Sequence, residues 1–399
     1  MERITVEEIR ETAKRLYPKV REWRRDFHRY PELSGDEKRT AEIVAEQLKR
    51  LGLEVREEVG GYGVIGVLKG SFDGPVIGFR ADMDALPIQE ETGFPYSSTV
   101  PGVMHACGHD GHTAMLMGTA EALVSFRDRL CGTVKFIFQP AEETGNGAKR
   151  MKEDGALDAP NVDILLGMHL LFHEAGTIAY KKGYALTASD TFELTVRGAG
   201  GHGAKPHETN DPLLTACSLV NALQYVVSRK VNPQQMAILT VGTISSGSAA
   251  NVIPGEAKIT GTVRTLQKET QETMIRGIRE TADGICRVMG CQYELNYHKN
   301  SEAVYNAPET MDQVLAGIRR ILPENRIQEL QDARCGSEDF SGFYRDGLQT
   351  AYIWLGGAYP GEKHPSTNHQ PKYDWDERTM ETGIQAAVAS ILEFLQEHN

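Results

Sequence analysis

Apolar residues recur every three to four positions across residues 4–53, a spacing that predicts two amphipathic helices at the start of the chain. The first runs to about Tyr30. A turn over residues 31–35 separates it from GDEKRTAEIVAEQLKRLG, whose Gly52 stands just past a helix end. Beyond it, segments 64–69 and 75–80 read as strands, 113–125 as a helix, 133–138 as a strand and 164–167 as a buried strand. Such alternation implies an α/β fold, a sheet with helices on both faces, in which functional groups gather at the carboxyl ends of the strands.

Around Ala185 the pattern changes. Residues 191–197 read as a strand, 212–228 as a helix with Asp211 as N-cap and Pro212 in first position, 237–244 and 257–264 as strands, 269–289 as a helix and 292–298 as a strand. That β-α-β-β-α-β order is the ferredoxin-like unit. After Tyr305 the alternation resumes with helix MDQVLAGIRRIL, strand TAYIWLGG and a last helix from about Glu377. The reading is therefore a discontinuous domain, residues 1–186 and 299–399, interrupted by an inserted domain over 187–298.

Composition narrows the function classes. The 399 residues are 40% hydrophobic and 25% charged, with a net charge of -12, an ordinary globular balance that lacks the clustered Lys/Arg needed for nucleic acid or an anionic membrane. The six cysteines, at 107, 131, 217, 286, 291 and 335, show no paired spacing and read as reduced thiols. The amino-terminal segment is charged and amphipathic rather than signal-like, and no apolar run is of membrane-spanning length. The expectation is a cytoplasmic protein acting on a small molecule.

The segment His105-Ala106-Cys107-Gly108-His109-Asp110-Gly111-His112 concentrates one thiol and three imidazoles, a donor set suited to Zn²⁺, Ni²⁺, Co²⁺ or Mn²⁺. Cys107 and His109 can converge on one ion from an irregular loop in which Gly108 supplies the backbone freedom; the alternative is a buried free cysteine among surface histidines. Asp82 and Asp84 follow PVIGFRA, Glu142 and Glu143 follow TVKFIFQPA, and His169 follows ILLGM, so four clusters fall beyond strand ends or in strand-to-helix loops. On extended backbone the adjacent glutamates face opposite ways, one towards a metal and the other towards a water as general base; in isolation they read as solvated loop residues. His169 is a ligand or a satisfied core histidine, and Asp84 either ligates or orients a ligand imidazole. His28 and His207 read equally well as surface or capping groups.

Taken together, FRADMDALP, MHACGHDGHTAM, QPAEE, GMH, GGHGAKPH, NVIP, GTVR and NHQPKYDWDE resemble the M20 metallopeptidases, and within them the amidohydrolase branch that includes hippurate hydrolases, N-acyl-amino-acid amidohydrolases and auxin-conjugate hydrolases. Asp82 stands where wider M20 peptidases carry His, and Cys107 where they carry Asp; both departures are those of this branch. The resemblance implies a mixed-sheet catalytic domain with an inserted lid and dimerisation domain. It also implies two divalent metal ions per subunit, held by Cys107, His109, Glu143, His169 and His369, with Cys107 bridging. NHQP departs from the usual LHNP or LHSP, and His364 lies close by. Glu142 becomes the general base and acid for attack of a metal-activated water on an amide carbonyl, with Asp84 beside it in the catalytic group. His202 is implied as an oxyanion stabiliser reaching a partner's site, and Asn251 and Arg264 as holders of the substrate carboxylate. A homodimer or dimer-based homotetramer follows, cleaving N-acyl amino acids to a carboxylic acid and a free amino acid. The alternatives are a dipeptidase or carboxypeptidase of the same family and a non-catalytic metal-dependent binding protein, against which the intact Glu142 argues.

Overall fold

Thr5 supplies a complete start signal for the first helix, α1 (Val6–Arg29). Its hydroxyl accepts from Glu8 N–H at 3.2 Å while the Glu8 carboxylate accepts from Thr5 N–H at 2.8 Å, a reciprocal capping box. The computed structural model describes residues 3–361 and 367–396. It continues with α2 (Lys38–Arg50), β1 (Glu54–Val59), β2 (Gly63–Lys69), β3 (Phe72–Asp82), α3 (His109–Val124), β4 (Cys131–Gln139), α4 (Gly147–Glu153), β5 (Ile164–Glu174) and the short β6 (Ile178–Tyr180) and β7 (Gly183–Leu186). Next come β8 (Ala188–Arg197), β9 (Gly201–His202), α5 (Pro212–Tyr225), β10 (Ala237–Ser246), β11 (Val252–Ile253), β12 (Glu256–Thr265), α6 (Lys268–Met289) and β13 (Gln292–Ser301). The chain closes with β14 (Val304–Asn306), α7 (Pro308–Ile321), β15 (Ile327–Glu329), β16 (Gln349–Ala358) and α8 (Thr379–Gln396).

Two compact units result. The first comprises Met1–Ala185, Tyr305–Ala333 and Asp339–Asn399; the second comprises Leu186–Val304 and takes in Arg334–Glu338. The first is built on an eight-stranded mixed sheet in the order β1-β2-β4-β3-β5-β16-β6-β15. Its centre is parallel, with Phe79 opposite Phe136 and Ile77 opposite Ile164, and nearly unbroken burial along β4 and β16 means both faces are covered. Asp82 and Gln139 pair at the carboxyl ends of β3 and β4. Lys135, on β4, is 1% exposed, and its ammonium donates to the carbonyls of Ala156, Asp158 and Pro160 at 3.1, 2.7 and 3.0 Å. Burial, with Arg56 nearby, lowers it to about 8.

Two boundaries near the candidate site residues differ from the sequence reading. The helix begins at His109, not near Thr113, so His109 and His112 share the first turn of α3. The apolar run that ends at Met168 continues as strand through Glu174, so His169 lies inside β5, opposite Trp354, rather than after a strand.

The second unit carries an antiparallel sheet in the order β10-β12-β8-β13. Leu219 and Leu223 of α5 and Met274 and Ile278 of α6 form one core with Phe192, Leu194, Ile259 and Val263 of the sheet. Among the described residues, no helix of either unit is long and apolar enough to cross a membrane.

Candidate metal centre

Gly108 caps α3 with φ +90, and a Cβ there would lie 2.7 Å from Leu170 Cδ1 and 3.1 Å from the Tyr373 hydroxyl. Only glycine tolerates both constraints. The helix it starts carries His109 and, one turn on, His112. His112 Nδ1 donates to Asp82 Oδ1 at 2.6 Å and its Nε2 accepts from Leu170 N–H at 2.9 Å. Both ring nitrogens are therefore engaged within the protein, and the His112 ring packs 4.4 Å from that of His169, although its ligand atom falls within 4.8 Å of those of Asp82, His109 and His169.

The other imidazoles are anchored through one nitrogen only. His109 Nδ1 donates to Asp84 Oδ1 at 3.2 Å, and His169 Nδ1 to the Leu170 carbonyl at 2.7 Å. Each Nε2 faces the donor patch. That of His109 is buried with no hydrogen-bond partner, 3.8 Å from Asp82 Oδ2 and 3.9 Å from Glu143 Oε1. That of His169 lies 3.4 Å from Cys107 Sγ, which also receives Asn368 Nδ2 at 3.4 Å. His369 sits at φ +64, its N–H bonded to Ala106 O at 2.8 Å and its Nε2 3.2 Å from Glu143 Oε1. Donor atoms of Cys107, Glu143 and His369 fall within 4.8 Å of one another, as do those of His109, Glu142 and Glu143. His364 lies outside the described residues. Asp84 Oδ2 is taken by the Ser34 hydroxyl at 2.7 Å and Glu143 N–H at 2.9 Å, which places this carboxylate behind His109 as an orienting group.

The paired glutamates do not lie on extended backbone. Ala141 adopts φ +55 and Glu142–Gly145 form a turn closed by Gly145 N–H to Glu142 O at 2.7 Å, so the turn, not strand alternation, separates the two carboxylates. Glu142 Oε1 accepts from Asp339 N–H at 3.4 Å. Behind them Arg80, 1% exposed, donates to Gln139 Oε1 at 2.7 Å, Asp82 Oδ2 at 2.6 Å and Asp339 Oδ1 at 3.2 Å. Burial opposes ionisation of Asp82, but His109, Arg80 and His112 outweigh it and hold the carboxyl well below the usual range. Burial pushes the Cys107 thiol up to about 12; a bound cation reverses that penalty. A buried unpartnered imidazole nitrogen beside a thiol and carboxylates fits divalent transition ions.

His28 is neither a surface nor a capping group: it is 1% exposed, with Nδ1 2.8 Å from Asp110 Oδ2 beside His109. His207 is exposed. The second unit brings His202 and Asn251 together, since Val252 pairs with His202 and Asn251 O accepts from Gly203 N–H at 2.8 Å. His202 Nδ1 accepts from Ala204 N–H at 3.0 Å, leaving Nε2 on an exposed ring. Arg264, on β12, is half-buried and bonds only the Val263 carbonyl, at 3.3 Å, among the described residues. Sequence reasoning passed over Arg80, whose partners Gln139 and Asp339 are remote in sequence, and named His112 only as part of the donor-rich segment, without its place one turn after His109 on one helix.

Thiol, imidazole and carboxylate donors gathered at the carboxyl end of a mixed α/β sheet define a candidate metal centre. Residues 78–393 match the family model described as Peptidase family M20/M25/M40, and the chain belongs to that family, which makes it a hydrolase of amide bonds. It is 41% identical over 308 residues to the N-acyl-L-amino acid amidohydrolase of Geobacillus stearothermophilus, covering 77% of this chain and 83% of the relative. Thermostable carboxypeptidase 1 of Saccharolobus solfataricus is 37% identical over 397 residues, 98% of each chain. The crystal structure of the Bacillus subtilis YXEP protein, described as a dinuclear metal binding peptidase from the M20 family, superposes with a TM-score of 0.83 at 33% identity, over 96% of this chain and 99% of that one.

Proposed function

We propose that the protein hydrolyses the amide bond of N-acyl amino acids, using two divalent ions held by Cys107, His109, Glu143, His169 and His369. The observation that carries this reading is the uniform anchoring of the rings: His109 and His169 each spend Nδ1 on an orienting acceptor and keep Nε2 for the donor patch, the arrangement expected of metal-ligating histidines. When bound, the ions supply Lewis acidity towards the carbonyl and towards water. Glu142 accepts a proton from water as its oxygen adds to the acyl carbon, then delivers it to the nitrogen as the C–N bond breaks, releasing a carboxylic acid and an amino acid. Asp84 fixes His109 for this work.

The second unit serves in this reading as lid and dimerisation domain. Its exposed His202 stabilises the tetrahedral oxyanion in a partner's site, and Asn251 with Arg264 binds the substrate carboxylate; an Arg264 guanidinium without an ion pair among the described residues supports that role. The Geobacillus relative's name supports the N-acyl substrate, while the Saccharolobus relative favours a carboxypeptidase as second reading. The six cysteines, whose spacing reads as that of thiols, suit a reducing cytoplasm.

The test is a panel of acetyl, benzoyl and indoleacetyl amino acids and dipeptides, run on protein purified without added metal and on its chelated form. Hydrolysis of N-acyl amino acids ahead of dipeptides, lost on chelation and recovered with Mn²⁺, Co²⁺, Ni²⁺ or Zn²⁺, is expected. Full turnover by demonstrably metal-free protein would sink the proposal.

A further inference from the structure

Glu37 stands at the start of α2, yet its side chain does not cap that helix. The capping is done by Glu32, whose carboxylate accepts from Arg39 N–H at 2.9 Å and Thr40 N–H at 2.8 Å. Glu37 turns inward instead and is fully buried. One oxygen, Oε1, accepts from Gly35 N–H at 2.9 Å and from Ala141 N–H at 2.7 Å. The other, Oε2, is buried with no hydrogen-bond partner, a burden that beginning a helix does not require.

What Glu37 holds is informative. Ala141 is the left-handed residue from which the chain turns into Glu142 and Glu143, and its own carbonyl closes the turn by accepting from Gly147 N–H at 3.2 Å. A non-glycine residue at φ +55 persists only when its surroundings over-determine it. The same segment between α1 and α2 also reaches the centre through Ser34, whose hydroxyl binds Asp84, and through the bridge between Leu33 and Ala85.

We propose that Glu37 is the positioning residue of the Glu142–Glu143 turn: by bonding Ala141 N–H and Gly35 N–H with one oxygen, it locks the strained start of the turn to the α1–α2 segment and so sets where both carboxylates fall. Burial pushes its carboxyl up to about 7, so a glutamine of the same shape reproduces the uncharged form. The inference rests on the roles proposed above for Glu142 and Glu143, but the clamp itself is a backbone contact that exists whether or not those roles hold.

The experiment compares Glu37→Gln, which keeps the oxygen in place, with Glu37→Asp, which keeps a good helix-starting residue but withdraws the oxygen by a methylene, and with Glu37→Ala. Amide hydrogen exchange is followed by mass spectrometry on the peptide spanning residues 138–147, with metal affinity from chelator competition and kcat and KM on the best substrate. Expected is fast exchange of this peptide in the Asp and Ala variants, wild-type protection in Gln, weaker metal binding in Asp, and a fall in kcat of about a hundredfold at little-changed KM in Asp, with Gln within about threefold of wild type. Wild-type protection and kcat in a folded Glu37→Asp protein overturn the proposal, as does a Gln variant as impaired as Asp. If Glu37→Ala does not fold, the Asp and Gln pair decides alone. If no substrate is turned over by any form, the proposed function fails while the exchange result still decides the clamp.

Discussion

The donor patch of the first unit and the His202–Asn251 corner of the second are built on opposite physical terms. In the first, His109 is buried and His169 partly so, and each has one nitrogen committed to a fixed acceptor, so the other is aimed before any ligand arrives. In the second, His202 is exposed on a two-residue strand and the Arg264 guanidinium hydrogen-bonds only the neighbouring Val263 carbonyl among the described residues. A site that must hold cations at short, defined distances needs pre-organisation. A surface that reads a variable substrate does not, and it retains side chains whose preferred partner is supplied from outside.

The sharpest way to break this comparison is to exchange one anchored carboxylate at a time. Glu142→Gln should retain metal and lose roughly 10² to 10⁴ in turnover, the range for a general acid-base group, whereas Glu143→Gln should lose metal. Equal metal content in both, with activity kept in the first, would remove the distinction. In the second unit the effect should depend on assembly. His202→Ala and Glu142→Gln should each be nearly inactive alone, and mixing with subunit exchange should give heterodimers that each carry up to about half of one wild-type dimer's activity if His202 acts across a two-fold dimer; proven heterodimers without recovery would assign it to its own subunit. Arg264→Ala should lose about ten- to a hundredfold in kcat/KM on free acids and little on their esters; an unchanged preference would pass carboxylate reading to another residue.

The smallest effect expected is on stability. Burial opposes ionisation of Glu37 more than the N–H groups of Gly35, Glu37 and Ala141 favour it, raising the carboxyl from 4.5 to about 7. A folded state that binds this proton more tightly than the unfolded chain loses stability as pH rises from 4.5 towards 7 and no further above it. At about 1.4 kcal/mol per unit the loss is on the order of 3 kcal/mol. Glu37→Gln should flatten that part of the curve, measured by chemical denaturation between pH 4.5 and 8; parallel curves would show that Glu37 titrates normally.

Much of this was legible in the sequence where chemistry and periodicity coincide. The Asp211 cap before Pro212 and the β-α-β-β-α-β order of the second unit both follow from short-range pattern. Two failures have physical causes. The first turn of α3 was hidden because the helix is buried on nearly every side and shows no amphipathic face, and β5 was cut short because a histidine interrupts its apolar run. The roles of Arg80 and Glu37 could not be read from pattern: each has one partner two residues away, Asp82 and Gly35, but Asp339 lies 259 positions from Arg80 and Ala141 lies 104 from Glu37, separations at which no periodicity survives.

The three carbonyls that converge on Lys135 form the kind of oxygen cradle in which folds elsewhere seat a potassium or ammonium ion. Here β4 delivers the cation on its own side chain. Segment 156–160 is thereby tied to the central sheet by one side chain, in place of a cation drawn from the medium.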